Sequence, residues 1–233
     1  MTHHEQLAAN LDAVRQRIAA ACRRCERAPA DVTLVAVTKY ADLDWVRGLY
    51  ALGLRDFGES RPQQLVERAA QFPADVRWHL IGHLQRNKAA LVLPHVVTIH
   101  SVDSVRLARQ ISTDAGKSNL SARVLLEVNV SGEEAKDGFS AQELRAVWSE
   151  LHALPHLRAE GLMTMAPLSD DMESSRPVFR ALRNLRDELL LFPDRSQLSQ
   201  LSMGMSGDFE VGIEEGATMI RVGSALFEGL GEG

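Results

Sequence analysis

The chain has 233 residues, 45% hydrophobic and 24% charged, a balance that suits a soluble globular protein with one large core or two small ones. Its 26 basic and 31 acidic residues leave a net charge of −5, and only Arg23-Arg24 forms a local basic pair, so the electrostatic footprint for nucleic acid or a membrane surface is missing. No basic start leads into an apolar core and no apolar run approaches the ~20 residues that span a bilayer, which makes the cytoplasm the expected location.

Residues 2–27 read as a helix, with Leu7, Leu11, Val14, Ile18 and Cys22 recurring at helical spacing, and Pro29 stops it. Cys22 and Cys25 have the C-x-x-C spacing of a redox or half-zinc pair. They lie late in this helix, and the chain has no second cysteine pair, so they read as two helix-borne thiols.

The first strand is Val32–Lys39, apolar and β-branched up to a terminal lysine. Alternation puts Val35, Val37 and Lys39 on one side and Leu34, Ala36 and Thr38 on the other, so the amine is expected to point inward. An inward ammonium must meet an anion or give up its charge, which is how a Schiff-base lysine is made. The alternative is a gatekeeper lysine turning to solvent where the strand ends.

Residues 43–52 return to helical spacing, and Leu54–Phe57 is a short strand that runs into Gly58-Glu59-Ser60. A helix from about Pro62 to Gln71 follows, its proline tolerated in the first turn. Val76–Gly82 is the third strand and 84–93 its helix, ended by Pro94. Val96–Ser101 is the fourth strand, and Ser101-Val102-Asp103-Ser104 has a composition that starts helices. Ala122–Val130 is the fifth strand, followed by a polar loop and a helix from about Ala141 to Leu154. Leu157–Met163, a long amphipathic helix over 174–191, and the strands Leu198–Met203 and Thr218–Val222 complete the series.

Strands alternating with helices in this way are parallel βα units, and eight of them close into a barrel. A doubly wound open sheet competes, but no G-x-G-x-x-G turn follows the first strand. With no repeat or low-complexity linker, residues 1–233 are expected to form one (β/α)8 TIM barrel with an extra N-terminal helix.

The chemistry of such a barrel gathers at the carboxyl ends of its strands. There the sequence places Lys39, Gly58-Glu59-Ser60, Gly82-His83, Asn129, Met163, Met203-Gly204-Met205-Ser206-Gly207 and Arg221-Val222-Gly223-Ser224. The small residues after strands seven and eight suit a phosphate cradle: glycines admit a phosphate to backbone N–H groups, and Ser206 and Ser224 offer hydroxyls. Asp208 would repel that phosphate unless it turns away. A lysine, an arginine and an anion cradle together are what an aldehyde bearing a phosphate requires, and pyridoxal phosphate is such a molecule.

A sequence of ordered motifs carries a family resemblance. Val-Ala-Val-Thr-Lys39, Phe57-Gly58-Glu59, Trp78-His79-Leu80-Ile81-Gly82 with Leu84-Gln85-Arg86-Asn87-Lys88, His100-Ser101-Val102-Asp103, Glu127-Val128-Asn129, Gly161-Leu162-Met163, Leu201-Ser202-Met203-Gly204-Met205-Ser206 and Arg221-Val222-Gly223-Ser224-Ala225-Leu226-Phe227 resemble those of the pyridoxal phosphate homeostasis proteins. The resemblance runs from about residue 32 to 227. It implies a barrel of the alanine racemase N-terminal type, with Lys39 as the Schiff-base lysine, Ser206, Gly207, Gly223 and Ser224 on the phosphate, and Arg221 facing the pyridine nitrogen. Ser60, Asn129 and Met163 are expected to complete the cofactor site. The chain departs from the family pattern at Ser60, usually Asn, at His83, and at Glu228, usually Gly.

An arginine cannot accept the ring proton, so the pyridine nitrogen should stay neutral and make a poor electron sink. No second domain is expected to supply an acid–base group opposite Lys39, and neither Tyr40 nor Tyr50 is placed by sequence at the mouth facing it. The expected role is to bind, buffer and hand over pyridoxal phosphate to apo-enzymes, as a monomer, without efficient amino-acid turnover. A small single-domain racemase or decarboxylase is the alternative, and a regulatory protein without cofactor a further one. Lys136 is a second amine at the same end of the barrel, able in principle to take up the aldehyde during release, though it reads first as a solvated loop lysine. His79 and His83 are too far apart on a strand to share a metal ion, and none is expected.

Overall fold

Helix α1 (His3–Arg24) is started by a capping box in which the Thr2 hydroxyl accepts from the Glu5 N–H and the Glu5 carboxylate accepts from the Thr2 N–H. The computed structural model describes residues 2–133, 137–192 and 198–231. The stripe predicted on α1, Leu7, Leu11, Val14, Ile18 and Cys22, is its buried face. Cys22 and Cys25 are free thiols, and the Cys25 Sγ–H donates to the Ala21 carbonyl at 3.3 Å.

The chain then alternates: β1 (Thr33–Val37), α2 (Leu43–Ala51), β2 (Asp56–Glu59), α3 (Pro62–Ala69), β3 (Arg77–Leu80), a 3-10 turn and α4 (Ala89–Val92), β4 (Val96–Val102) and α5 (Val105–Lys117). It continues through β5 (Ala122–Glu127), α6 (Ala141–His152), β6 (Leu157–Met163), a 3-10 turn and α7 (Arg176–Leu189), β7 (Gln200–Ser202), α8 (Phe209–Glu214), β8 (Met219–Val222) and α9 (Ser224–Phe227). All strand pairs are parallel and in chain order, and β1 closes on β8 with Thr33 opposite Met219 and Ala36 opposite Val222. This is the (β/α)8 barrel expected, with α1 added before it.

Of the boundaries that differ from the sequence reading, three bear on the rim of the barrel. Strand β1 ends at Val37, because the Ala41 N–H closes a turn onto the Thr38 carbonyl at 2.9 Å and takes Lys39 out of the strand. Strand β2 is shifted to include Gly58 and Glu59, in register with His79 and Leu80 of β3. The helix expected over 84–93 is a 3-10 turn at Arg86–Lys88 followed by the single turn α4, with Gln85 still extended at φ −67°, ψ 137°.

The strands alternate between two unlike surroundings. Ala36, Phe57, Leu80, Ile99, Val124, Leu126, Leu162, Leu201 and Ile220 join the helices in one large apolar core, each fully buried residue of Leu or Phe size contributing roughly 1.5–3 kcal/mol. Leu125, Met163 and Met219 form a separate small cluster in the lumen. Gly161 lets β6 approach β7, since a Cβ there would lie 1.9 Å from the Gln200 carbonyl oxygen.

Candidate functional site

At the carboxyl end of the barrel, Lys39, Arg221, Ser206, Gly207, Gly223 and Ser224 line one cavity of about 740 Å³ between the loops after β1, β6, β7 and β8. Strand pairing brings them together. Arg221 sits opposite Val35 on adjacent strands, four residues before Lys39 in the chain, and a Cβ on Gly223 would touch Val37 at 3.3 Å.

The cradle is built mostly from backbone. The Ser206 Oγ accepts from the Gly223 N–H at 3.2 Å and the Ala225 N–H at 3.4 Å, tying the loop after β7 to the one after β8. Its own hydroxyl hydrogen stays available to a ligand. Gly204 has φ +95° and a Cβ there would meet the Phe209 Cα at 2.8 Å, so the turn that presents Ser206 requires glycine. Nothing lies within 4 Å of a Cβ placed on Gly207, which meets open space. Asp208, read as a possible obstacle to an anion, is tied back into the wall: Oδ1 accepts from the Met205 N–H at 2.7 Å and Oδ2 from the Ser175 hydroxyl at 2.9 Å.

Lys39 is exposed rather than sheltered, since it sits in the turn beyond β1, and its Nζ lies 5.0 Å from the centre of the Tyr40 ring. Tyr40 therefore stands at the mouth beside Lys39, where the sequence did not place it. The backbone that carries Lys39 is held from behind by buried groups. Arg68 on α3 donates to the Thr38 carbonyl at 2.8 Å and the Ala41 carbonyl at 2.7 Å, and pairs with Glu59 at 2.8 Å. Gln64 Nε2 donates to the Lys39 carbonyl at 3.2 Å.

Arg221 is buried, with Nη1 donating to the Ser202 Oγ at 2.6 Å and Nη2 to the Thr164 carbonyl at 3.0 Å. A guanidinium has five N–H donors, so others remain for the cavity that it lines. Burial brings its pKa down to about 10, against the pull of Glu127 and Asp208. Glu127 at the end of β5 is buried and is pushed up to about 7 by desolvation and by Asp103, with Arg221 acting the other way.

The structure does not bring Ser60, Asn129 and Met163 to this cavity. Ser60 lines a separate cleft with Gln63, Gln64, His83 and Lys88. Asn129 organises the loop after β5, its Nδ2 donating to the Glu133 carbonyl and its Oδ1 accepting from the Gly132 N–H. Met163 is wholly buried in the lumen with Leu125 and Met219. Each ends or follows a strand as expected, but a rim position does not fix which cleft a side chain faces. Lys136 lies outside the described residues. His79 and His83 have unlike surroundings, His79 facing His100 in the lumen and the exposed His83 lying 3.2 Å from Asp103.

Sequence reading missed the polar side chains beneath Arg221. Ser202 Oγ and His100 Nδ1 are 2.9 Å apart, His100 Nε2 and His79 Nδ1 2.9 Å, and His79 Nε2 and Asp56 Oδ1 3.1 Å. The signal was present, since all four are polar residues in buried strands; what they touch across the lumen was not.

The sequence profile of the alanine racemase N-terminal domain matches residues 9–230. The chain is 42% identical over 218 residues to the pyridoxal phosphate homeostasis protein of Aquifex aeolicus, a match covering 93% of this chain and 95% of that one. PipY of Synechococcus elongatus, solved with PLP bound, superposes with a TM-score of 0.83 at 35% identity, covering 95% of this chain and 99% of that one. An alanine racemase of Clostridium difficile shares the fold at a TM-score of 0.72 and 15% identity, matched over 96% of this chain and 56% of that one.

Proposed function

Because the chain belongs to the pyridoxal phosphate homeostasis proteins, within the alanine racemase N-terminal domain family, we propose that it binds pyridoxal phosphate and carries it as a Schiff base on Lys39. The observation that carries this reading is the convergence of an amine, a guanidinium and a glycine–serine cradle on one cavity. The donor set fits the group. Ser206, Gly207, Gly223 and Ser224 line the same cavity and would hold its phosphate through hydroxyl and backbone N–H donors.

When bound, pyridoxal phosphate supplies an aldehyde and a pyridine ring able to accept electrons from an amino-acid carbon. In this chain Lys39 supplies the amine that holds the aldehyde. Arg221, a donor with no acceptor atom, holds the pyridine nitrogen unprotonated and so weakens the ring as an electron sink. The role that follows is storage and delivery of the cofactor, to apo-enzymes that need it, by a cytoplasmic monomer without efficient amino-acid turnover. Among the described residues no helix is long and apolar enough to cross a membrane.

A small racemase is the second reading, and Tyr40 is what favours it, a phenol beside the amine at the mouth. Absorbance spectra before and after borohydride, taken for the parent and for Lys39→Ala, test the first reading. The parent should show a visible band that reduction fixes to the protein, and the variant none. A parent that stays colourless with added pyridoxal phosphate overturns the reading. Rapid racemisation of amino acids by the loaded parent would replace it with the second.

A further inference from the structure

Small barrels of this kind usually fill their lumen with Val, Ile and Leu, yet beneath Arg221 this one holds a continuous line of polar side chains. Ser202 and His100 are fully buried, and His79, Arg221 and Asp56 are 2%, 4% and 8% exposed. The line starts at Arg221 on β8, passes to Ser202 on β7, crosses the lumen to His100 on β4, and reaches Asp56 on β2 through His79 on β3. Asp56 sits at the opposite end of the barrel, where Arg77 also donates to its carboxylate. Among the described residues Arg221 makes no direct ion pair, Glu127 and Asp208 acting on it only through space.

The donor and acceptor inventory gives the line a direction. A guanidinium only donates, so the Ser202 oxygen accepts from Arg221 and the serine hydrogen is left to go to His100 Nδ1. A carboxylate only accepts, so His79 Nε2 must carry a hydrogen. One hydrogen on each ring, at Nε2, meets both conditions: Ser202 donates to His100, His100 to His79, and His79 to Asp56. The other arrangements add a proton to one ring, put a hydrogen on His100 Nδ1 and leave the serine hydrogen without an acceptor along the line. They also add a second cation to the buried line that already holds Arg221. Burial, with the Arg221 guanidinium nearby, pushes His100 well below the ordinary imidazole range, in keeping with a neutral ring.

We propose that Asp56, His79, His100 and Ser202 form a one-way hydrogen-bond relay that fixes the plane of Arg221 and so sets how a bound pyridine nitrogen is held. The four are positioning residues, and this inference rests on the cofactor reading given above. The ring hydrogens themselves do not depend on it.

The first test uses the parent protein without cofactor. Long-range 15N–1H spectra, assigned with His79→Gln and His100→Gln, should show both rings neutral at pH 7 with the hydrogen on Nε2. A hydrogen on His100 Nδ1, or either ring cationic, overturns the relay. The second test compares loaded proteins. Ser202→Ala removes the link to Arg221, and retention of pyridoxal phosphate should weaken about tenfold, with a displaced visible band. Parental retention and an unmoved band in Ser202→Ala would show that the line does not position Arg221. If the parent takes up no pyridoxal phosphate, the cofactor reading fails and the ring spectra alone decide the relay.

Discussion

Arg68 pairs with the fully buried Glu59 at 2.8 Å, and the same guanidinium donates to the carbonyls of Thr38 and Ala41, on either side of Lys39. The exposed amine is thus mounted on a backbone that buried charges hold from behind. Removing one partner of such a pair strands the other. Arg68→Met is expected to cost about 3–5 kcal/mol in urea unfolding, with much of that loss recovered when Glu59→Gln is added. Equal destabilisation in the single and double variants would mean that the pair contributes nothing beyond its packing.

The cradle predicts a contrast between stability and affinity. A methyl group on Gly207 meets nothing within 4 Å, so Gly207→Ala should alter stability by less than about 0.5 kcal/mol. Gly207 nonetheless lines the cavity assigned to the phosphate, so its substitution is expected to act on the cofactor. Retention of pyridoxal phosphate, measured by dialysis against absorbance, should fall several-fold while binding of pyridoxal, which lacks the phosphate, stays unchanged.

Glu127 gives the fold a pH dependence whose sign can be worked out. Its carboxyl is raised from 4.5 to about 7 by burial, so between those values the native protein holds a proton that the unfolded chain has released. Stability therefore falls as pH rises through this window, by up to about 3 kcal/mol, and no penalty is felt below it. Glu127→Gln should unfold at a higher temperature than the parent at pH 8. The advantage should vanish by about pH 4, a comparison that thermal scans at the two values make directly.

Strands β6 and β7 touch where Gly161 has no side chain. A Cβ placed 1.9 Å from the Gln200 carbonyl oxygen forces the strands apart, so Gly161→Ala is expected to cost about 2–4 kcal/mol in denaturant unfolding. An alanine variant as stable as the parent would show that this pairing yields easily.

Local pattern carried the barrel because alternation and helix stops are properties of neighbouring residues. Strand ends gave the residues at the mouth, and pairing of β1 with β8 put Lys39 and Arg221 on the wall of one cavity. The exposure of Lys39 was not legible, because alternation runs on through the lysine while the turn closes one residue earlier, at Thr38. Tyr40 was missed for the same reason. Ser60, Asn129 and Met163 follow the right strands but face other spaces, since the angle between neighbouring loops depends on packing that no single segment contains. The relay was invisible because its central contact joins His100 to Ser202, 102 positions apart in the chain and on strands that do not pair.

The open position of Lys39 has a consequence for exchange. An amine that bulk water already reaches can be approached by a foreign amine, such as the lysine of another protein, without any movement of the barrel. On the proposed reading of storage and delivery, loading and unloading would then run by the same encounter in opposite directions, and the time a cargo stays would be governed by the grip on its anionic end instead of by enclosure.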